Sequence, residues 1–128
     1  MNNQEIWRNI KDYEWLYQVS NLGRIRSIKN GDNRVIEGSI SEYGYRNVRL
    51  CKHSIKRAFR VGRLVAFAFP EICGEYFEGA QVNHKNENKL DNRAQNLEWC
   101  TQEYNMNYGT RRHRAWLSYM NSYVWRYK

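Results

Sequence analysis

Short alternations of apolar and polar residues, separated by turn-forming residues, run through the first half of the chain. Residues 16–20 alternate loosely, Asn21-Leu22-Gly23 reads as a turn, and residues 24–28 alternate with Ile25 and Ile28 directed at a core. Asn30-Gly31 marks a hairpin turn, because both residues tolerate the left-handed backbone such turns require. Further strands are predicted over 35–40 and 45–50, followed by a charged hairpin through 52–56 and a strand at 58–61. The period then changes. Residues 63–69, with Leu64, Val65, Phe67 and Ala68, read as a short buried helix stopped by Pro70, and 71–80 as an acidic connection. Residues 81–84 and 97–101 predict two short strands around a turn-rich segment, with Trp99 and Phe67 expected in the core. Thr101 is placed to cap a helix starting at Gln102. In the tail, Trp116, Met120, Tyr123 and Val124 fall close to helical spacing, which predicts an amphipathic helix packed back on the domain.

A chain of 128 residues holds one domain, or two small modules sharing one core. Its five Trp and ten Tyr are too many for such a core to enclose, and exposed rings beside cations can stack on bases. The net charge of +8 is unevenly spread. Residues 1–60 carry twelve basic and six acidic residues, residues 61–105 four and seven, and residues 106–128 five and none. Two basic arms around a mildly acidic centre suit a polyanion held by the arms while the centre attracts a metal. Arg24, Arg26, Arg34, Arg46, Arg49, Lys56, Arg57 and Arg60 interleave with strand residues, so one sheet face is either a basic binding face or a solvated one. Nucleic acid is favoured over membrane, since there is no long apolar run and no dominant basic amphipathic helix. Cys51, Cys73 and Cys100 form no C-x-x-C pair, which argues against a structural zinc. The start of the chain lacks the apolar stretch of a signal peptide, so an intracellular protein with reduced thiols is expected.

Residues 81–105 concentrate the candidate chemistry. They are rich in Asn around one histidine, His84. A hairpin followed by a helix would bring Asn105 beside Asn83 and His84 despite 21 residues of separation. Neutral imidazole suits proton abstraction near pH 7, and amide oxygens can hold a hard divalent cation. Taken one by one, Asn86, Asn88 and Asn92 read as turn residues, His53 and His113 receive no role, and Tyr104 suits either a core or a binding face.

The order of these motifs resembles the HNH endonucleases with a ββα-metal site, particularly the homing-endonuclease type of phages and mobile introns. The residues that carry the resemblance are Arg63-Leu64-Val65-Ala66-Phe67-Ala68-Phe69, Val82-Asn83-His84, Lys89-Leu90-Asp91-Asn92-Arg93, Asn96-Leu97-Glu98-Trp99 and Asn105. Trp7, Ile10, Tyr13-Glu14, Tyr17-Gln18-Val19-Ser20-Asn21 and Gly23-Arg24-Ile25-Arg26-Ser27 resemble the NUMOD4-like module that often precedes such domains. The resemblance implies an α+β fold. A small antiparallel N-terminal sheet (1–60) leads into a ββα-metal nuclease domain (61–109) and a basic C-terminal helix (110–128).

The resemblance also implies roles. His84 would take a proton from the attacking water, and Asn96 would bond backbone to lock the loop and orient His84. Asn83, where many relatives have Asp, would hold one divalent cation together with Asn105. That cation would be Mg²⁺ or another such as Mn²⁺, bound poorly until a DNA phosphate completes the site. Arg24, Arg26, Arg46, Arg49, Arg111, Arg112 and Arg114 would hold the backbone of double-stranded DNA. The implied protein is a monomer that nicks or cleaves DNA, working in the cytoplasm of a bacterial host if phage-encoded. A catalytically decayed DNA-binding protein on the same fold, and an RNA-binding module, are the alternatives. Two departures stand out. Gly62 occupies a position where relatives often have a His expected to buttress the site, and the tail is short for a DNA-reading module.

Overall fold

A computed structural model describes residues 4–127, with side chains through residue 122. The first sheet has four antiparallel strands in chain order: β1 (Trp7–Asn9), β2 (Tyr17–Ser20), β3 (Ile25–Ser27) and β4 (Arg34–Ile36). Val19 pairs with Ile25 across β2 and β3, and both are buried. Period-two geometry sends Ser27, rather than Ile28, to the same face as Ile25; Ile28 follows the strand and is only half-buried. Lys29–Gly31 closes the β3–β4 hairpin as a 3₁₀ turn with Asn30 in the left-handed region, as the Asn-Gly pair predicts.

The single strand expected over 35–40 is two. Gly38, at φ +68°, turns the chain between β4 and β5 (Ser39–Ile40), which belongs to a second sheet. That sheet continues through β6 (Arg46–Lys52) and β7 (Ile55–Arg60) in the order β5-β6-β7. Val48 and Leu50 of β6 point inward and Arg49 outward, the alternation expected of a half-buried strand.

Helix α1 (Val61–Ala68) follows β7 directly and buries Val61, Leu64, Val65 and Ala66. Pro70 does not simply stop it. Proline fits the first turn of a helix, and α2 (Pro70–Cys73) starts there, burying Cys73 within the stretch expected to be only a connection. Strands β8 (Gln81–His84) and β9 (Leu97–Cys100) form an antiparallel pair, followed by α3 (Gln102–Asn107) and α4 (Arg111–Tyr127). Thr101 caps α3 by accepting the Tyr104 amide at 3.1 Å.

One apolar cluster runs from Ile10 through Leu50 and Val65 to Leu97 and Trp99, so both sheets and the β8–β9 pair share an interior. Fully enclosed residues such as Phe69, Ile25, Leu50 and Leu97 each contribute roughly 1.5–3 kcal/mol of burial. Trp99 joins this core as expected. Phe67 does not: it is half-exposed, lying edge-on over Trp99 as a cover.

Helix α4 departs from expectation as well. Trp116, Leu117 and Tyr119 are exposed, Met120 is half-buried, and the main packing contact of the helix is with α3. Its first turn is tied down by polar contacts, with Arg114 and Thr110 both on Glu87, before the narrow apolar stripe meets any surface. The side chains of Tyr123 and Val124, part of the predicted stripe, lie outside the described residues. No described helix is long and apolar enough to cross a membrane.

Candidate active site

Strand β8 carries Asn83 and His84 into the interior together. Adjacent strand residues face opposite ways, yet both are almost wholly buried, because α1 and α3 each pack against this strand. The loop to β9 is held by Asn96. Its carbonyl accepts the Lys85 amide at 2.8 Å and its Oδ1 accepts the Asn86 amide at 2.9 Å. Its Nδ2 donates to Asn86 Oδ1 and to the Asp91 carbonyl at 3.0 and 2.8 Å. The Asp91 carboxylate accepts from Arg93 and from Asn86; the Arg93 contacts above all bring its pKa down to about 2. Asn96 is thus the clasp of the loop, and His84 is the last residue of the strand that leads into it.

A different asparagine holds the imidazole. His84 Nε2 lies 2.8 Å from Asn92 Oδ1. A carbonyl oxygen only accepts, so this contact puts the ring proton on Nε2 and leaves Nδ1 with a bare lone pair. His84 Nδ1 is buried and has no hydrogen-bond partner. Burial lowers the pKa of this histidine, an effect the Asn92 bond partly opposes, so the neutral form dominates near pH 7.

Asn92 is gripped from two sides. A Cβ at Gly23 would lie 2.8 Å from the Asn92 backbone, so the β2–β3 turn can approach only as glycine. A Cβ at Gly62 would lie 3.0 Å from Asn92 Oδ1 and 3.6 Å from His84 Nε2. The space left by Gly62 is where the Asn92–His84 bond sits. Local sequence signals assign Asn92 to a turn, and its burial at 5% exposure is what distinguishes it from Asn88.

Asn105 reaches β8 from α3, donating Nδ2 to Gln81 Oε1 at 3.0 Å, while Asn83 donates Nδ2 to Glu98 Oε2 at 2.7 Å. Each amide therefore spends its NH₂ on a neighbour. Asn83 Oδ1 and Asn105 Oδ1 remain buried and unpartnered. Such orphaned acceptors are costly unless something electropositive meets them, and amide oxygens are suitable ligands for a hard divalent cation. Among the described residues no three His, Cys, Asp or Glu side chains gather. The residues present fit a hard divalent cation held through neutral oxygens.

Cations surround the histidine unevenly. Arg111, at the start of α4, leaves Nε buried without a partner, and its charge contributes to the lowered His84 pKa. The Tyr45 ring lies 6.0 Å from the His84 ring, with Arg60 stacked over it at 3.9 Å and Lys89 at 4.8 Å. The sequence reading named Arg60 and Lys89 separately but missed Tyr45 and the wall the three form, since Tyr45 is 39 residues from His84.

The remaining arginines divide into engaged and open. Arg24 is paired with Glu5 and lies over Trp7, while Arg26 bonds Gln18 Oε1 and also covers Trp7. Arg46 donates to the Glu37 carbonyl at 2.7 Å, and Arg114 pairs with Glu87 at 3.0 Å. Arg49 and Arg112 are exposed and carry no side-chain partner among the described residues.

Parts of the chain match known protein families. The NUMOD4 motif matches residues 5–51 and the HNH endonuclease family matches residues 72–107. The chain is 43% identical over 100 residues to DNA endonuclease I-HmuI of Bacillus phage SP01, covering 78% of this chain and 55% of that protein. It is 38% identical over 92 residues to the uncharacterized HNH endonuclease L245 of Acanthamoeba polyphaga mimivirus, covering 72% of this chain and 26% of the relative. The structure superposes on that of the HNH homing endonuclease I-HmuI with a TM-score of 0.72 at 42% identity, over 79% of this chain and 55% of the other. The chain thus spans about half the length of I-HmuI and about a quarter of that of the mimivirus protein. A NUMOD4 motif leading into a ββα unit with His84 on its first strand places the chain in the HNH endonuclease family.

Proposed function

We propose that the chain is a divalent-metal-dependent DNA endonuclease with His84 as general base. One observation carries this reading. Of the five buried side-chain polar atoms without partners among the described residues, four belong to Asn83, His84, Asn105 and Arg111. A folded protein satisfies nearly all such groups, so orphans on β8, on α3 and at the start of α4 support a site that takes a ligand bringing the missing partners. The four supply what phosphodiester hydrolysis needs: two oxygens for a cation, one lone pair for a proton, and one guanidinium for a phosphate.

His84 Nδ1 accepts a proton from the water that attacks phosphorus. The resulting imidazolium is stabilised by the Asn92 oxygen already bonded at Nε2. Arg111, with Arg60 and Lys89 beside Tyr45, holds the scissile strand, and Arg49 and Arg112 the flanking phosphates. Asn83 and Asn105 would hold the divalent cation, which when bound would supply charge neutralisation at the phosphate and at the departing 3′ oxygen. Double-stranded DNA is the substrate, and the products carry a 5′-phosphate and a 3′-hydroxyl. With one site per monomer, nicking comes first, and the work is done inside the cell where the DNA is.

The test incubates the purified chain with supercoiled plasmid in Mg²⁺, Mn²⁺ or EDTA. Relaxed circles forming before linear DNA, and only with metal, are the expected result. Intact plasmid in both metals, with DNA still bound, would instead make this a binding protein on a nuclease fold.

Asn92→Ala leaves the base on its strand but frees the imidazole to choose either tautomer. The single-turnover nicking rate should fall about 10- to 100-fold, as for other partners that orient a reactive group, with DNA affinity unchanged. An Asn92→Ala variant as fast as the parent would remove Asn92 from the mechanism.

A further inference from the structure

We propose that Glu98 is the residue that orients Asn83 as a cation ligand, fixing which end of its amide faces the site. The inference rests on the reading of Asn83 and Asn105 as ligands. Asn83 and Glu98 are direct cross-strand partners in the β8–β9 register. Asn83 is fully buried, and its Nδ2 donates to Glu98 Oε2 at 2.7 Å. An asparagine amide is nearly symmetric in shape, so packing alone scarcely distinguishes its two orientations. A carboxylate does, because it only accepts. Turned over, Asn83 would set its carbonyl oxygen against the Glu98 oxygen, and its NH₂ would point into the site and repel a cation.

Asn105 is held less strictly. Its Nδ2 meets Gln81 Oε1 at 3.0 Å, but the Gln81 amide can turn over with its partner and restore a hydrogen bond. The strict lock lies on Asn83. Glu98 also places a negative charge one hydrogen bond behind a neutral ligand. Its pull on the NH₂ protons raises electron density on Oδ1, the direction in which linked hydrogen bonds strengthen one another. Tyr104 Oη, 3.4 Å from the same Oε2, steadies the carboxylate from α3.

The experiment follows the side-chain NH₂ signals of Asn83 and Asn105 in ¹⁵N–¹H spectra of the full chain as MnCl₂ is added. Paramagnetic broadening reports the ion at those two amides without any turnover. Four proteins are compared: the parent, Glu98→Gln, Asn83→Asp, and the Asn83→Asp/Glu98→Gln double variant. Glu98→Gln keeps the size of the side chain but can donate as well as accept. It should need about 10-fold more Mn²⁺ or beyond for the same broadening at Asn105. Asn83→Asp alone sets two carboxylates against each other. The double variant restores one acceptor facing one donor with the charge exchanged, and should bind Mn²⁺ at least as well as the parent.

Equal Mn²⁺ response of the parent and Glu98→Gln overturns the lock while leaving the cation site standing. No broadening at either amide in the parent overturns the ligand assignment, and the lock with it. If Glu98→Gln melts early, the double variant decides: recovery of binding supports the lock, and continued weak binding overturns it.

Discussion

His84→Ala should lower the plasmid-nicking rate in saturating Mg²⁺ by roughly 10²- to 10⁴-fold, the usual contribution of a positioned general base. DNA affinity should stay within about twofold, because phosphate contacts with the arginines set it. Loss of binding together with cleavage would show that the substitution had disturbed the loop rather than the chemistry. An unchanged rate would remove His84 from the reaction.

The same residue sets the acid side of the pH profile. Burial, the largest influence, lowers its pKa below the ordinary 6.5. The neutral base then predominates at pH 7, and nicking should begin to fall at a lower pH than an ordinary histidine would give. Stability follows the same sign. The unfolded chain protonates this histidine first, so the contribution of neutral burial is complete above the unfolded value and is lost as pH falls through the folded one. A rate already falling between pH 8 and 7 would mean that the titrating group is not a buried neutral histidine.

Asn96→Ala should cost about 3 kcal/mol of stability, because it strips three side-chain hydrogen bonds and leaves the Asn86 amide and the Asp91 carbonyl without partners. For a chain of this size that is a fall in Tm of roughly 10 °C, measurable by near-ultraviolet circular dichroism. Activity should fall as well, even below the transition, since the freed loop carries Asn92 away from His84. Asn88→Ala in the same loop removes one exposed side-chain contact, to the Leu90 amide, and should cost no more than about 1 kcal/mol. Equal losses at the two positions would show that the clasp is spread over the whole loop rather than centred on Asn96.

Much of the fold is legible along the chain because its signals are local. Turn pairs such as Asn30-Gly31, the alternation Val48-Arg49-Leu50 and the cap at Thr101 act within a few residues, and each has the predicted outcome. Expectation failed where several local answers are allowed. Pro70 can end one helix or begin the next, and Gly38 can lie in a strand or turn the chain out of it. The tail's apolar spacing specifies a helix but not its direction, which the contacts of Glu87 with Thr110 and Arg114 decide.

At the site, the local signals are enough to suggest a hairpin and helix bringing Asn83, His84 and Asn105 together, and the family resemblance implies a base and amide oxygens among them. The burial of Asn83 and His84, and the unpartnered atoms of Asn83, His84 and Asn105, arise only when α1 and α3 close over β8. Asn92 satisfies a turn preference whether or not a histidine stands beside it, so nothing local reveals its role. Only the fold brings the space at Gly62, the turn at Gly23 and the imidazole of His84 together around it. The arginines follow the same division. Net charge is additive and can be counted along the chain, but whether Arg24 meets Glu5 or Arg111 faces the histidine is a matter of distances between residues far apart in sequence. Pairings of that kind depend on the folded geometry, because hydrogen bonds and desolvation act over a few ångströms of space regardless of the length of chain between the partners.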